Sequence, residues 1–301
     1  MVRKGPAGPG GLIIVDKPSG MTSHDVVSKV RRLAKTRRVG HAGTLDPMAT
    51  GVLVIGVERS TKLLNHLVLT DKTYTATIRL GAATTTDDAD GEITDATDAS
   101  GLSRPQILAG IAILRGEIQQ RPSSVSAIKV DGERAYVRVR AGETVDLAAR
   151  PVVVSRFELI GEPRLLDRFC DLDVIVDCSS GTYVRALARD LGQLLGVGGH
   201  LTVLRRTRVG PFSLDQALTL DELAELADPI VLPLPQAIGA AMPIRQITEA
   251  EAAELSFGRT IEPVGIRGTH GALKPGGVAV ALLEESAGRS RPVLGFTPAG
   301  S

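Results

Sequence analysis

The segment from Phe169 to Cys178 alternates strictly, with Cys170, Leu172, Val174, Val176 and Cys178 on one side and Phe169, Asp171, Asp173, Ile175 and Asp177 on the other. A period of two residues is that of a half-buried strand, and it excludes a helix across this stretch. Both thiols fall on the inner side. They cannot bridge each other along one extended strand, because their Cα atoms would lie beyond the limit of about 7 Å, so reduced core cysteines are expected. Thr73 to Leu80 repeats the pattern, setting Tyr74, Ala76, Ile78 and Leu80 against Thr73, Thr75, Thr77 and Arg79.

Around these strands the other signals fall irregularly. Leu12 to Val15, Val52 to Val57 and 151–160 read as strands. Ser23 opens a helix to Ala34 with Val26, Val30 and Leu33 inward, Ser60 is placed to cap a helix through Leu67, Ser103 opens one to Leu114, and Thr182 to Leu195 is helical with Gly196 to end it. Strands and helices without regular alternation predict an α+β fold on a mixed, largely antiparallel sheet. Pro229, Pro233, Pro235 and Pro243 interrupt the pattern, which sets a boundary between a domain of 1–240 and a small β-rich module of 241–301. In that module Thr248 and Glu251 form a capping box, and Val278 to Leu283 and Val293 to Phe296 read as strands.

The chain has 301 residues, 43% of them hydrophobic and 23% charged, which is ordinary globular usage. Its N-terminal cations precede only the short apolar run Leu12 to Val15, so neither a signal peptide nor a membrane span is expected, and the cytoplasm is the expected compartment. The net charge of +1 hides a segregation. Lys29, Arg31, Arg32, Lys35, Arg37 and Arg38 lie in an acid-free stretch from Val26 to Leu45, and Arg205, Arg206 and Arg208 in a second. Asp87, Asp88, Asp90, Glu92, Asp95 and Asp98 are gathered elsewhere. Single charge runs are usually solvated faces, but two such runs fit a phosphate backbone equally well. With three Tyr, five Phe and no Trp the chain lacks a long stacking platform, so RNA would be recognised by shape and phosphates.

Several chemistries are excluded by their motifs. There is no Walker loop, Gly-x-Gly-x-x-Gly, His-Glu-x-x-His or Cys-x-x-Cys, and the five histidines have no zinc spacing. An EF-hand centred on Asp88, Asp90 and Gly91 would begin at Thr86 and end at Thr97, leaving out the bidentate carboxylate. No cofactor and no metal is expected. What stands out is Gly40-His41-Ala42-Gly43-Thr44-Leu45-Asp46-Pro47-Met48-Ala49-Thr50-Gly51, where Pro47 biases Asp46 toward an extended backbone on a loop that feeds the Val52 strand. Alone, an Asp-Pro is more often a turn whose carboxylate caps an amide.

This loop and the preceding Asp16-Lys17-Pro18-Ser19-Gly20-Met21-Thr22-Ser23 resemble the TruB family of bacterial tRNA pseudouridine synthases. The likeness continues through Lys72-Thr73-Tyr74, Leu80-Gly81 with Thr84 to Gly91, Pro122 to Lys129, and Cys178 to Arg185. It ends with Gly199-His200-Leu201 and Leu204-Arg205-Arg206; Ser180 stands where many members have Lys. The resemblance implies a pseudouridine synthase domain followed by a PUA-like RNA-binding module, and conversion of uridine 55 in the tRNA T-arm loop to pseudouridine. It implies Asp46 as the catalytic carboxylate, Arg185 as its charge partner, and Tyr74 stacked on the uracil. His41 is then near the flipped nucleotide, Leu204 and Tyr183 beside the substrate, and Lys17 with Pro18 bracing the loop. The cations Arg31, Arg32, Lys35, Arg37, Arg38, Arg205, Arg206 and Arg208 would meet the RNA, and a monomer is expected. Bland readings stand beside these: an inner-face aromatic for Tyr74, and a surface ion pair with Asp190 for Arg185. The rival functions are a non-catalytic RNA-binding or tRNA-folding protein of the same fold, and a glycosidic hydrolase, which would need a second acid that no local pairing supplies.

Overall fold

The computed structural model describes residues 8, 10–68, 70–123, 129–130, 133–134 and 147–297. Of the segment Pro122 to Lys129, residues 124–128 lie outside those described. The chain clusters into two compact units, one of Met1–Asp46, Val52–Val68 and Gly210–Ser301, the other of Pro47–Gly51 and Leu69–Val209. Mixed sheets with irregularly placed helices make this the expected α+β fold. No helix among the described residues is long and apolar enough to cross a membrane.

In the first unit, strand Gly11–Lys17 lies between Leu232–Pro233 and Thr50–Val57, with Leu12 to Val15 fully withdrawn from solvent. Val39–Ala42 pairs antiparallel with the same Thr50–Val57 strand, Val39 opposite Val57 and Ala42 opposite Val54. Helix Ser23–Leu33 buries Val26, Val27 and Val30. Its cap is Thr22, not Ser23. Thr22 exchanges bonds with Asp25, whose backbone N–H donates to the threonine hydroxyl at 3.1 Å while its carboxylate accepts the Thr22 N–H at 2.9 Å. Ser60 likewise caps nothing, because it is buried inside a 3-10 turn, Glu58–Lys62, that precedes a short helix, Leu64–Val68.

The C-terminal part of this unit is a four-stranded sheet in the order Ile244–Gln246, His270–Lys274, Val278–Ser286, Arg289–Gly295. The helix Glu249–Ser256, started by the Thr248 and Glu251 box, packs on it. Ile247, Ala252, Leu255, Ile261, Ala272, Val280, Ala281 and Leu283 form its core. Helix Leu234–Ala241 touches both Gly11–Lys17 and this sheet. The approach is close: a Cβ on Gly271 would lie 2.3 Å from Ile238 Cγ2 and 2.9 Å from Ile244 Cδ1. We therefore expect Gly271→Val to destabilise the protein by about 1–3 kcal/mol through overpacking, read as a lowered denaturation midpoint. An unchanged midpoint would show that this joint is loose.

The second unit is built on five strands in the order Gly199–Val209, Lys72–Leu80, Phe169–Cys178, Arg150–Leu166, Gly116–Gln120, each antiparallel to its neighbours in this series. The alternations of Thr73 to Leu80 and Phe169 to Cys178 appear as alternating burial. Cys170 and Cys178 are free and buried, and burial pushes the Cys178 thiol up to about 11. Helix Arg104–Ile113 starts at the Ser103 box with Gln106, and helix Val184–Leu194 packs on the Gly199–Val209 strand. Thr50 and Gly51 pair in parallel with Arg205 and Arg206. Gly51 has φ +100, and a Cβ there would fall 2.1 Å from the Arg206 carbonyl oxygen, so no other residue fits this rung without moving a strand.

Candidate active site

Asp46 lies in the loop that joins Val39–Ala42 to Thr50–Val57, half-buried and outside any regular element. Its position is set from the preceding residue. The Leu45 N–H donates to Ser23 Oγ at 2.9 Å, and the same hydroxyl donates to the Leu45 carbonyl at 3.1 Å, both buried. Ser23 thus gives the loop both halves of a backbone pairing, which is why it is inside rather than at the helix cap. Lys17, fully buried, donates from Nζ to the carbonyls of Pro18 at 2.8 Å and Met21 at 2.6 Å, closing the turn before this helix. His41 sits opposite Ile55 in the hairpin, and its ring meets His24 edge-on with centroids 5.5 Å apart.

In the second unit, Tyr74 is directly opposite Val176 on one side and Arg206 on the other, while Leu204 is opposite Ala76. Directly opposed residues share a face, so Tyr74, Leu204 and Arg206 form one wall of buried side chains. Tyr74 therefore occupies an inner face, as its bland reading also required. Lys72, two residues earlier on that face, has its pKa lowered to about 8, chiefly by burial and next by the Arg206 charge. Arg206 is 1% exposed, so its expected role as a surface phosphate contact does not hold.

Arg185 is two residues into its helix and only 4% exposed. It donates to the Thr86 carbonyl at 2.8 Å and pairs with Asp88 Oδ2 at 3.2 Å. Asp190 instead pairs with Arg189, at 2.8 Å, which also reaches Asp87 at 3.2 Å. The surface pair Arg185–Asp190 is therefore replaced by a buried pair with Asp88, a residue that the sequence offered as a failed calcium ligand and as part of the Thr84 to Gly91 segment of the family likeness, without a partner named for it. Asp88 is itself 3% exposed; its carboxylate accepts from Thr86 Oγ1 and from the Asp90 N–H at 3.1 Å, and its carbonyl accepts from Thr84 Oγ1 at 2.8 Å. The Thr84 to Gly91 segment is a cradle for a guanidinium. Tyr183 caps the same helix, half-buried, with the Arg150 guanidinium 5.1 Å from its ring centroid. No group of three or more His, Cys, Asp or Glu among the described residues is arranged to hold a metal.

These features can be set against known proteins. The description "TruB family pseudouridylate synthase (N terminal domain)" matches residues 31–184, "tRNA pseudouridylate synthase B C-terminal domain" matches 185–234, and "tRNA Pseudouridine synthase II, C terminal" matches 242–297. A tRNA pseudouridine synthase B of Nocardia farcinica is 61% identical over 292 residues, covering 97% of this chain and 94% of that protein. The chain belongs to the TruB family. A second TruB relative, the tRNA pseudouridine synthase B of Corynebacterium glutamicum, is 60% identical over 96% of this chain and 97% of its own length. Among solved structures, "Crystal Structure of a Cbf5-Nop10-Gar1 Complex" superposes with a TM-score of 0.73 at 24% identity, over 99% of this chain and 91% of that one. "Structure of H/ACA RNP bound to a substrate RNA containing 2'-deoxyuridine" gives 0.71 at 23% identity, over 97% and 86%. At that identity the two structures establish the fold.

The basic runs of this TruB chain are less uniform than their sequence suggests. Arg32, Lys35 and Arg37 are exposed and make no ion pair with a described residue. Arg31, also exposed, donates to the Val39 carbonyl at 3.3 Å, and Arg38 pairs with Glu58 at 3.4 Å. Glu58 also accepts from Thr36 Oγ1, so the fold brings an acid into a stretch that is acid-free along the chain. Arg205 donates to Thr50 Oγ1 at 3.2 Å, and Arg208 to Thr73 Oγ1 at 3.0 Å with Asp177 3.8 Å away.

Proposed function

We propose that this chain converts uridine 55 in the T-arm loop of tRNA to pseudouridine, with Asp46 as the catalytic carboxylate. The coarser activity, making pseudouridine in tRNA as an isomerase, rests on the family and on relatives named tRNA pseudouridine synthase B. The observation that supports Asp46 in that role is the construction of its loop, while position 55 and the T-arm rest on the family resemblance. A buried serine fixes the backbone on one side of the carboxylate, and Gly51 locks the chain into register with Arg206 on the other. A turn whose aspartate merely caps an amide has no need of two such anchors.

The reaction breaks the bond from ribose C1′ to uracil N1, turns the base, and forms a bond from C1′ to C5. The C5 proton leaves and N1 gains one, so atoms and electrons balance without an oxidant. A fixed carboxylate assists at the ribose or base, and the base must first leave its stack. A neighbouring guanidinium favours a carboxylate's anion, and the family resemblance gives that role to Arg185, which Asp88 holds. Tyr74 and Leu204 offer an apolar face for the detached uracil, with Tyr183 and His41 as further substrate contacts. The division of labour assigns chemistry to 1–240 and added RNA contact to a PUA-like module at 241–301, in a cytoplasmic monomer. The direct test is to incubate the protein with tRNA labelled in uridine and analyse its nucleosides. Pseudouridine at position 55 alone is expected; unmodified RNA that is nonetheless bound would favour the non-catalytic alternative.

Binding should be salt-dependent, because phosphate neutralisation releases counterions. Replacing Arg32, Lys35 or Arg37 singly by Ala should flatten the slope of log affinity against log salt by about one unit. Arg38→Ala should flatten it less, since Glu58 already neutralises part of that charge. Titration of a T-arm stem-loop at several salt concentrations checks both statements. A slope unchanged in all four variants would place the RNA on another face.

A further inference from the structure

Gln120 and Arg150 stand opposite one another in register on their two strands, and both reach the turn before the Arg185 helix. Gln120 is 1% exposed. Its Nε2 donates to the Tyr183 carbonyl at 3.0 Å, and its Oε1 accepts the Tyr183 N–H at 2.8 Å. Arg150 donates to the Gly181 carbonyl at 2.9 Å while lying over the Tyr183 ring. Tyr183 is the cap residue of the Val184–Leu194 helix, has an extended backbone, and gives that helix no side-chain cap of its own. The Gln120 amide therefore acts as a strand partner one residue long. One position further on, the Arg121 carbonyl accepts from Arg189 at 2.7 Å, so residues 120 and 121 grip the helix at its cap and in its second turn.

We propose that Gln120 is a positioning residue for the isomerisation: by fixing Tyr183 it sets the direction of Arg185 two residues later. The inference rests on the reading that Arg185 acts in the chemistry. Only a primary amide both donates and accepts in the fork that Tyr183 presents. A leucine does neither, and a carboxylate only accepts. With the fork lost, Arg185 is still held at its far end by Asp88 and Thr86, and Arg150 and Arg189 still hold Gly181 and the second turn, but the cap residue loses both bonds that fix its backbone. Displacements near 1 Å cost on the order of a hundredfold in rate when a charged group must meet a reacting centre.

The test is a double-mutant comparison of single-turnover pseudouridine formation and stem-loop binding in Gln120→Leu, Arg185→Lys and the pair. Gln120→Leu alone is expected to slow the chemical step by about tenfold to a hundredfold with affinity changed by less than about threefold. In the Arg185→Lys background it should cost less than about twofold more, because the geometry it protects is already lost. An equal loss in both backgrounds, or a loss confined to affinity, overturns the proposal in favour of a general structural role. A wild-type rate in Arg185→Lys alone overturns instead the role of Arg185, so the two failures are told apart. If Gln120→Leu does not fold, Gln120→Glu, which keeps the acceptor, is judged by the same comparison.

Discussion

Asp46→Asn is expected to abolish pseudouridine formation while leaving tRNA affinity within about tenfold, or roughly 1.4 kcal/mol. The amide has the shape of the carboxylate and keeps one acceptor oxygen, so the loop held by Ser23 and Leu45 has no reason to move. What is lost is the negative charge that would attack or assist at the glycosidic bond, and no water or neighbouring amide replaces a positioned nucleophile. Affinity should survive because it is assigned to exposed cations such as Arg32, Lys35 and Arg37. The measurement is nucleoside analysis after long incubation at saturating RNA, beside a binding titration, with deamidation of the introduced asparagine excluded by mass. Multiple turnover by the variant would remove Asp46 from the mechanism. A loss of affinity far beyond tenfold would make it a binding group instead.

The parts of the molecule written in local pattern could be read from the chain. Tyr74 and the two cysteines face inward because a strand half in water repeats every two residues, and Thr248 starts a helix because Glu251 follows at capping distance. The Gly199–Val209 strand shows why the rest was hidden. It carries three arginines, and register shifts between Leu201 and Val203 and between Arg206 and Arg208 break its period. One arginine of a run that looked uniformly solvated is thereby turned into the core. Pairings that close over long sequence separations leave no local trace either. Gln120 meets Tyr183 63 residues away, and Arg185 meets Thr86 99 residues away. The role proposed for Asp46 rests on the family resemblance, since an Asp-Pro in isolation is ordinary turn chemistry.

The second large effect concerns Asp88. Its carboxylate and the Arg185 guanidinium are both about 5% exposed as side chains and 3.2 Å apart. A guanidinium cannot shed its proton inside a protein. Asp88→Asn therefore leaves a buried charge facing a neutral amide, and breaking such a pair by removing one partner costs about 3–5 kcal/mol. Some of that cost should appear as lowered stability. The remainder should appear in rate, because Arg185 loses the carboxylate that aims it and is free to turn toward any carbonyl or water that can solvate it. Thr86 already supplies one such carbonyl, at 2.8 Å, so the side chain need not leave its pocket entirely. A loss on the order of a hundredfold in the chemical step, equivalent to about 2.7 kcal/mol, is expected at temperatures where the variant is folded. Thr86→Ala, which keeps the ion pair and removes only a hydroxyl bonded to Asp88, should cost far less in both readouts. Single-turnover rates and denaturant titrations on the two variants decide the matter. If Asp88→Asn turns over at the wild-type rate while its stability falls, the buried pair holds the fold together without aiming Arg185, and the cradle from Thr84 to Gly91 has no part in catalysis.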